Sequence, residues 1–205
     1  MATDILSKTE LDQLAEITNI GAGNASTALS HMLGKKVQMT VPETFVGDLT
    51  EIQRLLGKTD DTVLAVFLKM HGDIEGALAM IFPPASALDF AELLTKNKRD
   101  SLKEFEEIDR SALREVGNIL LGASITALGK FLNLNIVHSV PDVASDMLGA
   151  IMDSILIEMG SSTERILAFK INLHLEEEKI GSDLYYMFDP NSTKKILDIT
   201  KSKTS

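Results

Sequence analysis

Cysteine is absent from this 205-residue chain, which excludes disulfides and thiolate metal sites. Its four histidines, His31, His71, His138 and His174, have no paired ligand spacing, so neither a metal nor a cofactor of its own is expected. Long apolar runs are missing too. None reaches the roughly 18 residues of a membrane span, and the opening MATDILSKTE lacks the basic-then-apolar layout of a secretory signal. A soluble, cytoplasmic protein is the expectation. Positive charge is in short supply, with 20 Lys and Arg against 30 Asp and Glu and a formal charge of −10. That balance argues against nucleic-acid binding, which relies on clustered basic residues to displace counterions, and favours a protein partner. What is plentiful is apolar residues, 44% of the chain, enough for a proper core in one large domain or two small intertwined ones.

One helical phrase occurs twice. Asp12-x3-Glu16-x2-Asn19, then 22 residues and Pro42, returns as Ser111-x3-Glu115-x2-Asn118, then 22 residues and Pro141. The differences 115 − 16, 118 − 19 and 141 − 42 all equal 99, so a helix, its exit and the following strand keep register, as in a duplication.

Periodicity predicts a helix over 8–33, a strand over 36–44 ending near Pro42, a hairpin of 62–70 with 76–82 about His71-Gly72-Asp73, and a helix from Pro83-Pro84 to about 95. The second half repeats this with a helix over 107–132, strands over 134–140, 165–175 and 183–188, and a last helix from about 191. Phe82 and Phe188 mark matching strand-to-helix junctions, 188 − 82 = 106 apart. The seven extra residues of the second half are assigned to 143–158, read as helical, with core packing preferred over a partner-binding role. The fold class is therefore α+β: pseudo-twofold duplicated α-β-β-β-α units, about 8–95 and 107–201, joined by a charged linker over 96–109. They form one domain, with an antiparallel sheet and helices packed on one face.

On the first helix, Leu11, Leu14, Ile17, Gly21, Ala25, Ala28, Leu29 and Met32 share the side expected to face the core. Opposite run Asp12, Glu16, Asn19, Gly23, Ser26 and Ser30. The second helix repeats that stripe with Ser111, Glu115, Asn118, Gly122 and Gly129, with Ile125 in the place of Ser26. Glycine inside an exposed helix costs about 1 kcal/mol relative to alanine. Its presence at both 23 and 122 suggests the close approach of another backbone, so Gly23, Ser26 and Gly122 are docking candidates. A single Glu-x2-Asn on a helix is ordinary solvated surface. Survival of both polar positions in two copies is what marks them as functional, whereas Leu14/Leu113 and Ala28/Ala127 are retained for packing.

These residues resemble the CheC family of chemotaxis phosphatases, whose motif is Asp/Ser-x3-Glu-x2-Asn-x22-Pro. Both copies fit it, and the likeness extends to Asn19-Ile20-Gly21-Ala22-Gly23-Asn24-Ala25 and His71-Gly72-Asp73-Ile74-Glu75-Gly76. Two motifs without a rotor domain suggest the CheC type rather than the single-motif CheX or the rotor-linked FliY type. The resemblance implies hydrolysis of the phosphoaspartate of the response regulator CheY, with Mg²⁺ held by the regulator and the receptor deamidase CheD as a second partner in many systems. Asn19 and Asn118 would orient the attacking water, which suits a carboxamide offering one acceptor and two donors without added charge. Glu16 and Glu115 are implied to pair with the regulator's active-site lysine. Asp12 and Ser111 are assigned to partner docking or helix-start ordering. The alternative is a binding module that regulates phospho-CheY or CheD by occupancy alone. Oligomeric state is not set by the sequence, and a monomer is the default. Gly57-Lys58-Thr59 is like the end of a P-loop, but Ile52 stands where its first glycine is required, so nucleotide binding is not expected.

Overall fold

A computed structural model describes residues 8–47, 59–159, 166–175 and 180–202. Among them the side chains of 8–14, 17, 41–47, 158, 166 and 201 fall outside the description. Gly57 and Lys58 lie outside it as well.

The elements are α1 (Lys8–Leu33), β1 (Gln38–Gly47), β2 (Thr62–Gly72), β3 (Gly76–Phe82), α2 (Pro84–Thr95), α3 (Glu107–Leu132), β4 (Ile136–His138), β5 (Asp142–Met147), α4 (Leu148–Glu158), β6 (Ile166–Leu175), β7 (Ile180–Phe188) and α5 (Pro190–Ser202). Both motif helices therefore have the expected bounds. Each stops on a left-handed residue, Gly34 at φ 62° and Asn133 at φ 56°, and 133 − 34 = 99. Glycine and asparagine are the residues that tolerate this conformation at a helix exit.

The strands form one antiparallel sheet in the order β1-β6-β7-β3-β2-β4, with β5 also pairing β2. Each hairpin is thus flanked by the first strand of the other half: β1 on β6, and β4 with β5 on β2. Exchanging the halves reproduces the order. At the offset of 106, Ala79 corresponds to Tyr185 (79 + 106 = 185), and these two residues pair with each other at the middle of the β3–β7 ladder.

Pro42 does not end β1 as expected. The strand runs on to Gly47, and its register with β6 breaks between Thr40 and Glu43, the kind of irregularity at an edge strand where proline is tolerated. Pro141 occupies the matching place between β4 and β5. Residues 143–147, read from sequence as helical, are strand instead, and the helix begins only at Leu148. β4 pairs just Met70, His71 and Gly72 of β2, so the backbone of residues 62–67 would be left open. β5 closes that edge from Thr62 to Phe67.

Alternation along β2 and β3 divides the interior. Leu64, Val66, Leu68 and Met70 face the main core with Leu78, Met80 and Phe82, under residues of α1, α2, α3 and α5. Val63, Ala65, Ala77, Ala79 and Ile81 face the other way. That second face is covered by α4 through Leu148, Ile151, Met152, Ile155 and Leu156, so the extra residues of the second half seal a surface the other four helices leave open. Met32, expected in the core, is 36% exposed and lies in the last turn of α1, past the buried Leu29.

The charged stretch after α2 is ordered. Asp109 is fully buried, accepts from the backbone N–H of Glu106 at 2.9 Å and pairs with Arg99 at 3.0 Å, while Arg99 also reaches Glu106 at 2.9 Å. Deep between α1 and α3, the Tyr186 phenol lies close to Gly21 and Ser124. Burial pushes its pKa up, with a smaller opposing effect from Ser124. The Ser124 hydroxyl donates to Leu120 O at 3.1 Å, and among the described residues the phenol oxygen has no hydrogen-bond partner of proper geometry.

Two stability outcomes follow, both measurable by urea unfolding. Asp109→Ala strips Arg99 and the start of α3 of a buried partner and lowers stability by about 2–4 kcal/mol. Tyr186→Phe removes an unpaired hydroxyl and leaves stability unchanged or raises it by up to about 1 kcal/mol.

Candidate active site

A helix lying on a sheet buries one side, and the residues it buries fix which residues look outward. In α1 the buried set includes Thr18, Ala22, Ala25 and Leu29; in α3 it includes Gly117, Leu121, Ser124 and Leu128. Adding 99 to the first set gives the second. Both helices are therefore rotated alike, and Glu16, Asn19, Glu115 and Asn118 are all exposed. None of these four side chains has a hydrogen-bond or ion-pair partner among the described residues. Glu and Asn are three apart on each helix, so each pair projects from one face a turn apart.

The residue before each Asn seats its helix. Gly117 lies so near β2 that a Cβ there would meet Val66 Cγ1 at 2.5 Å and Pro141 Cβ at 3.6 Å. Pro141 is itself buried. The proline of the second motif thus packs under the turn that carries Asn118, a role beyond ending a strand. Thr18 fills the same buried place in α1.

Beyond the Asn the two stripes diverge. In α1, Ser26 is half-buried and donates to Val37 O at 2.8 Å, while Ser30 Oγ accepts from Val37 N–H at 3.1 Å. Ser26 therefore fastens the helix to the residue that leads into β1, with its hydroxyl proton committed there. The corresponding residues of α3 are apolar or small: Ile125 is buried, and a Cβ on buried Gly129 would lie 3.6 Å from Ile136 Cδ1. Gly129 is accordingly packed rather than displayed. Gly23 is exposed with nothing within 4 Å of a Cβ placed on it, whereas at Gly122 that Cβ would lie 3.1 Å from His138 Nε2. The expected neighbour of Gly122 is thus a side chain of the chain itself. Neither Gly117 nor His138 was singled out from the sequence as a site residue. The residue corresponding to His138 is Met39 (138 − 99 = 39), so repetition gave no signal.

At the helix starts, Ser111 is exposed and donates to Glu107 at 3.3 Å. Arg114 donates to the same carboxylate at 2.7 Å. Its hydrogen bond and charge hold Glu107 below the ordinary carboxylate range, with a smaller contribution from Ser111. Ser111 thus orders the first turns of α3. Asp12 lies in α1, with its side chain outside the description. Among the described residues no cluster of three His, Asp or Glu side chains could hold a metal ion, and no helix is long and apolar enough to cross a membrane.

Each of the two helix faces thus offers an exposed carboxylate and an exposed carboxamide with no partner among the described residues. The chain belongs to the CheC-like family: the family model matches residues 10–46 and 108–145, the two motif helices with the strands that follow. The chain is 30% identical over 195 residues to the CheY-P phosphatase CheC of Bacillus subtilis, covering 93% of each protein. Among solved structures, Thermotoga maritima FliY superposes with a TM-score of 0.73 at 21% identity, over 97% of this chain and 99% of that one. The chain in the CheX–CheY–BeF3–Mg²⁺ complex of Borrelia burgdorferi does so at 0.57 and 19%, over 83% and 96%. At these identities the structural likenesses establish the fold.

The two glycines separate packing from display. Gly117→Ala forces α3 off Val66 and lowers stability by about 1–3 kcal/mol. Gly23→Ala, whose added methyl meets open space, raises it by up to about 1 kcal/mol. Denaturant midpoints at unchanged slope read both effects.

Proposed function

We propose that this chain is a phosphatase that hydrolyses the phosphoaspartate of the response regulator CheY in chemotaxis. One observation carries the assignment of residues: Glu16 with Asn19 and Glu115 with Asn118 stand exposed and, among the described residues, without partners on equally oriented helices. Family membership and the relative named as a CheY-P phosphatase support the activity. The CheX–CheY–BeF3–Mg²⁺ complex supports this fold as one on which such a regulator docks.

The acyl phosphate belongs to the guest, as does the Mg²⁺ over its phosphoryl group. What this chain adds is a placed water. The Asn19 or Asn118 carboxamide hydrogen-bonds a water in line with the scissile P–O bond. The water oxygen bonds to phosphorus as the bond to the aspartyl oxygen breaks, the carboxylate leaves with the electron pair, and the water's protons pass to phosphate and solvent. Phosphoryl transfer through a loose transition state rewards such positioning. A neutral amide does this without repelling the phosphoryl oxygens, as a carboxylate would. Glu16 or Glu115, a turn earlier, pairs with the guest's lysine and fixes the guest's orientation.

The shared sheet order and the Ala79–Tyr185 pairing support reading the halves as a duplication within a single domain, so one chain carries two working faces. On the same reading the protein acts in the cytoplasm as a monomer, with CheD as a second partner.

Decay of label from the purified phospho-regulator tests the assignment. Asn19→Ala and Asn118→Ala should each leave one face working, with residual rates that sum to the parent rate. The double change should lower catalysis by at least about 10²-fold. A double variant that is folded and fully active contradicts the water-positioning role.

A further inference from the structure

The two faces differ most where the guest would lie past the Asn. On the first, Gly23 is open. On the second, the half-buried ring of His138 lies against Gly122, its Nε2 3.1 Å from the place a Cβ would take. Gly122 follows Asn118 by four residues, so their outward directions coincide and lie about 5–6 Å apart on the helix surface. His138 therefore stands at the edge of the same face as the candidate water-orienting amide.

Its ring is held in one orientation. Nδ1 lies 2.9 Å from Ser139 O; a carbonyl can only accept, so Nδ1 carries the proton and donates. In the neutral ring Nε2 is then the free atom, an acceptor. The backbone beneath is pinned on both sides, with Ser139 N–H donating to Lys69 O at 2.9 Å and Lys69 N–H donating to Ser139 Oγ at 3.0 Å. At the corresponding place on the first face, Met39 packs against the main core.

We propose that His138 is a specificity-determining residue of the second face: its Nε2 accepts a hydrogen bond from a donor on the receiver protein docked across Gly122, a contact that the first face lacks. The two faces of one chain thereby rank guests differently. The second prefers a receiver with an N–H, ammonium or guanidinium group at that place, and the first tolerates a bulkier apolar surface over Gly23. This rests on the phosphatase reading above.

The test uses full-length protein with one face silenced: Asn19→Ala reports the second face and Asn118→Ala the first. In the Asn19→Ala background, His138→Ala should raise KM for the phospho-regulator by about threefold to tenfold, the effect of one lost hydrogen bond, with kcat within about twofold. His138→Gln, which keeps an acceptor, should recover part of the loss. In the Asn118→Ala background the His138→Ala substitution should leave KM unchanged. Melting curves identify variants that are misfolded, and His138→Gln still gives a reading if His138→Ala is one of them. An unchanged KM on the second face, or an equal rise on both, overturns the proposal. Full activity of the Asn19→Ala/Asn118→Ala protein overturns the water-positioning role of the two faces, and no acceleration of label loss by the parent protein overturns the phosphatase reading itself, whatever His138 does.

Discussion

The burial phase of the two long helices is the constraint on which everything else rests. With a repeat of 3.6 residues, fixing one residue against the sheet fixes the direction of every other. Thr18 in α1 and Gly117 in α3 occupy that fixed place, each next to the Asn of its motif. Asn19 and Asn118 are turned outward because their neighbours are turned in. At Gly117 the seating leaves no room for a side chain against Val66, with Pro141 in contact distance beside it. The repeated spacing between motif helix and proline then has a physical sense in the second half, where the proline is part of the surface on which the helix rests.

The sheet makes the two faces one structure. Because β1 flanks the second hairpin while β4 and β5 flank the first, neither half can complete its own sheet or core. The main core accordingly draws on residues from Ala22 to Ile196. Symmetry stops where the chain has extra length: α4 lies on the far side of the sheet over a separate apolar cluster. It also stops in the small polar contacts. Ser26, Val37 and Ser30 form hydrogen bonds in the first half where Ile125, Ile136 and Gly129 pack in the second.

Long amphipathic segments with clear exits were legible in the sequence. Both motif helices, the hairpin about Gly72 and the helix after Phe82 are found within a residue or two of their expected limits, because period, proline and glycine agree there. Residues 143–147 were misread because their strand state is imposed by the open edge of β2, a tertiary demand that local pattern does not carry. The continuation of β1 through Pro42 is of the same kind. At the site, the exposure of Glu16, Asn19, Glu115 and Asn118 followed from helical geometry. The commitment of Ser26 to Val37 did not, nor did the placement of His138 over Gly122, since both join residues that are close only after the chain has turned from helix to strand.

A structure of this chain bound to CheY in its BeF3- and Mg²⁺-loaded form tests the central claim most directly. The account predicts the Asn19 or Asn118 carboxamide within about 3.5 Å of a water in line with the acyl-phosphate mimic, with the adjacent Glu paired to the regulator's lysine. A complex in which the regulator docks elsewhere, with both amides facing bulk solvent, would contradict it.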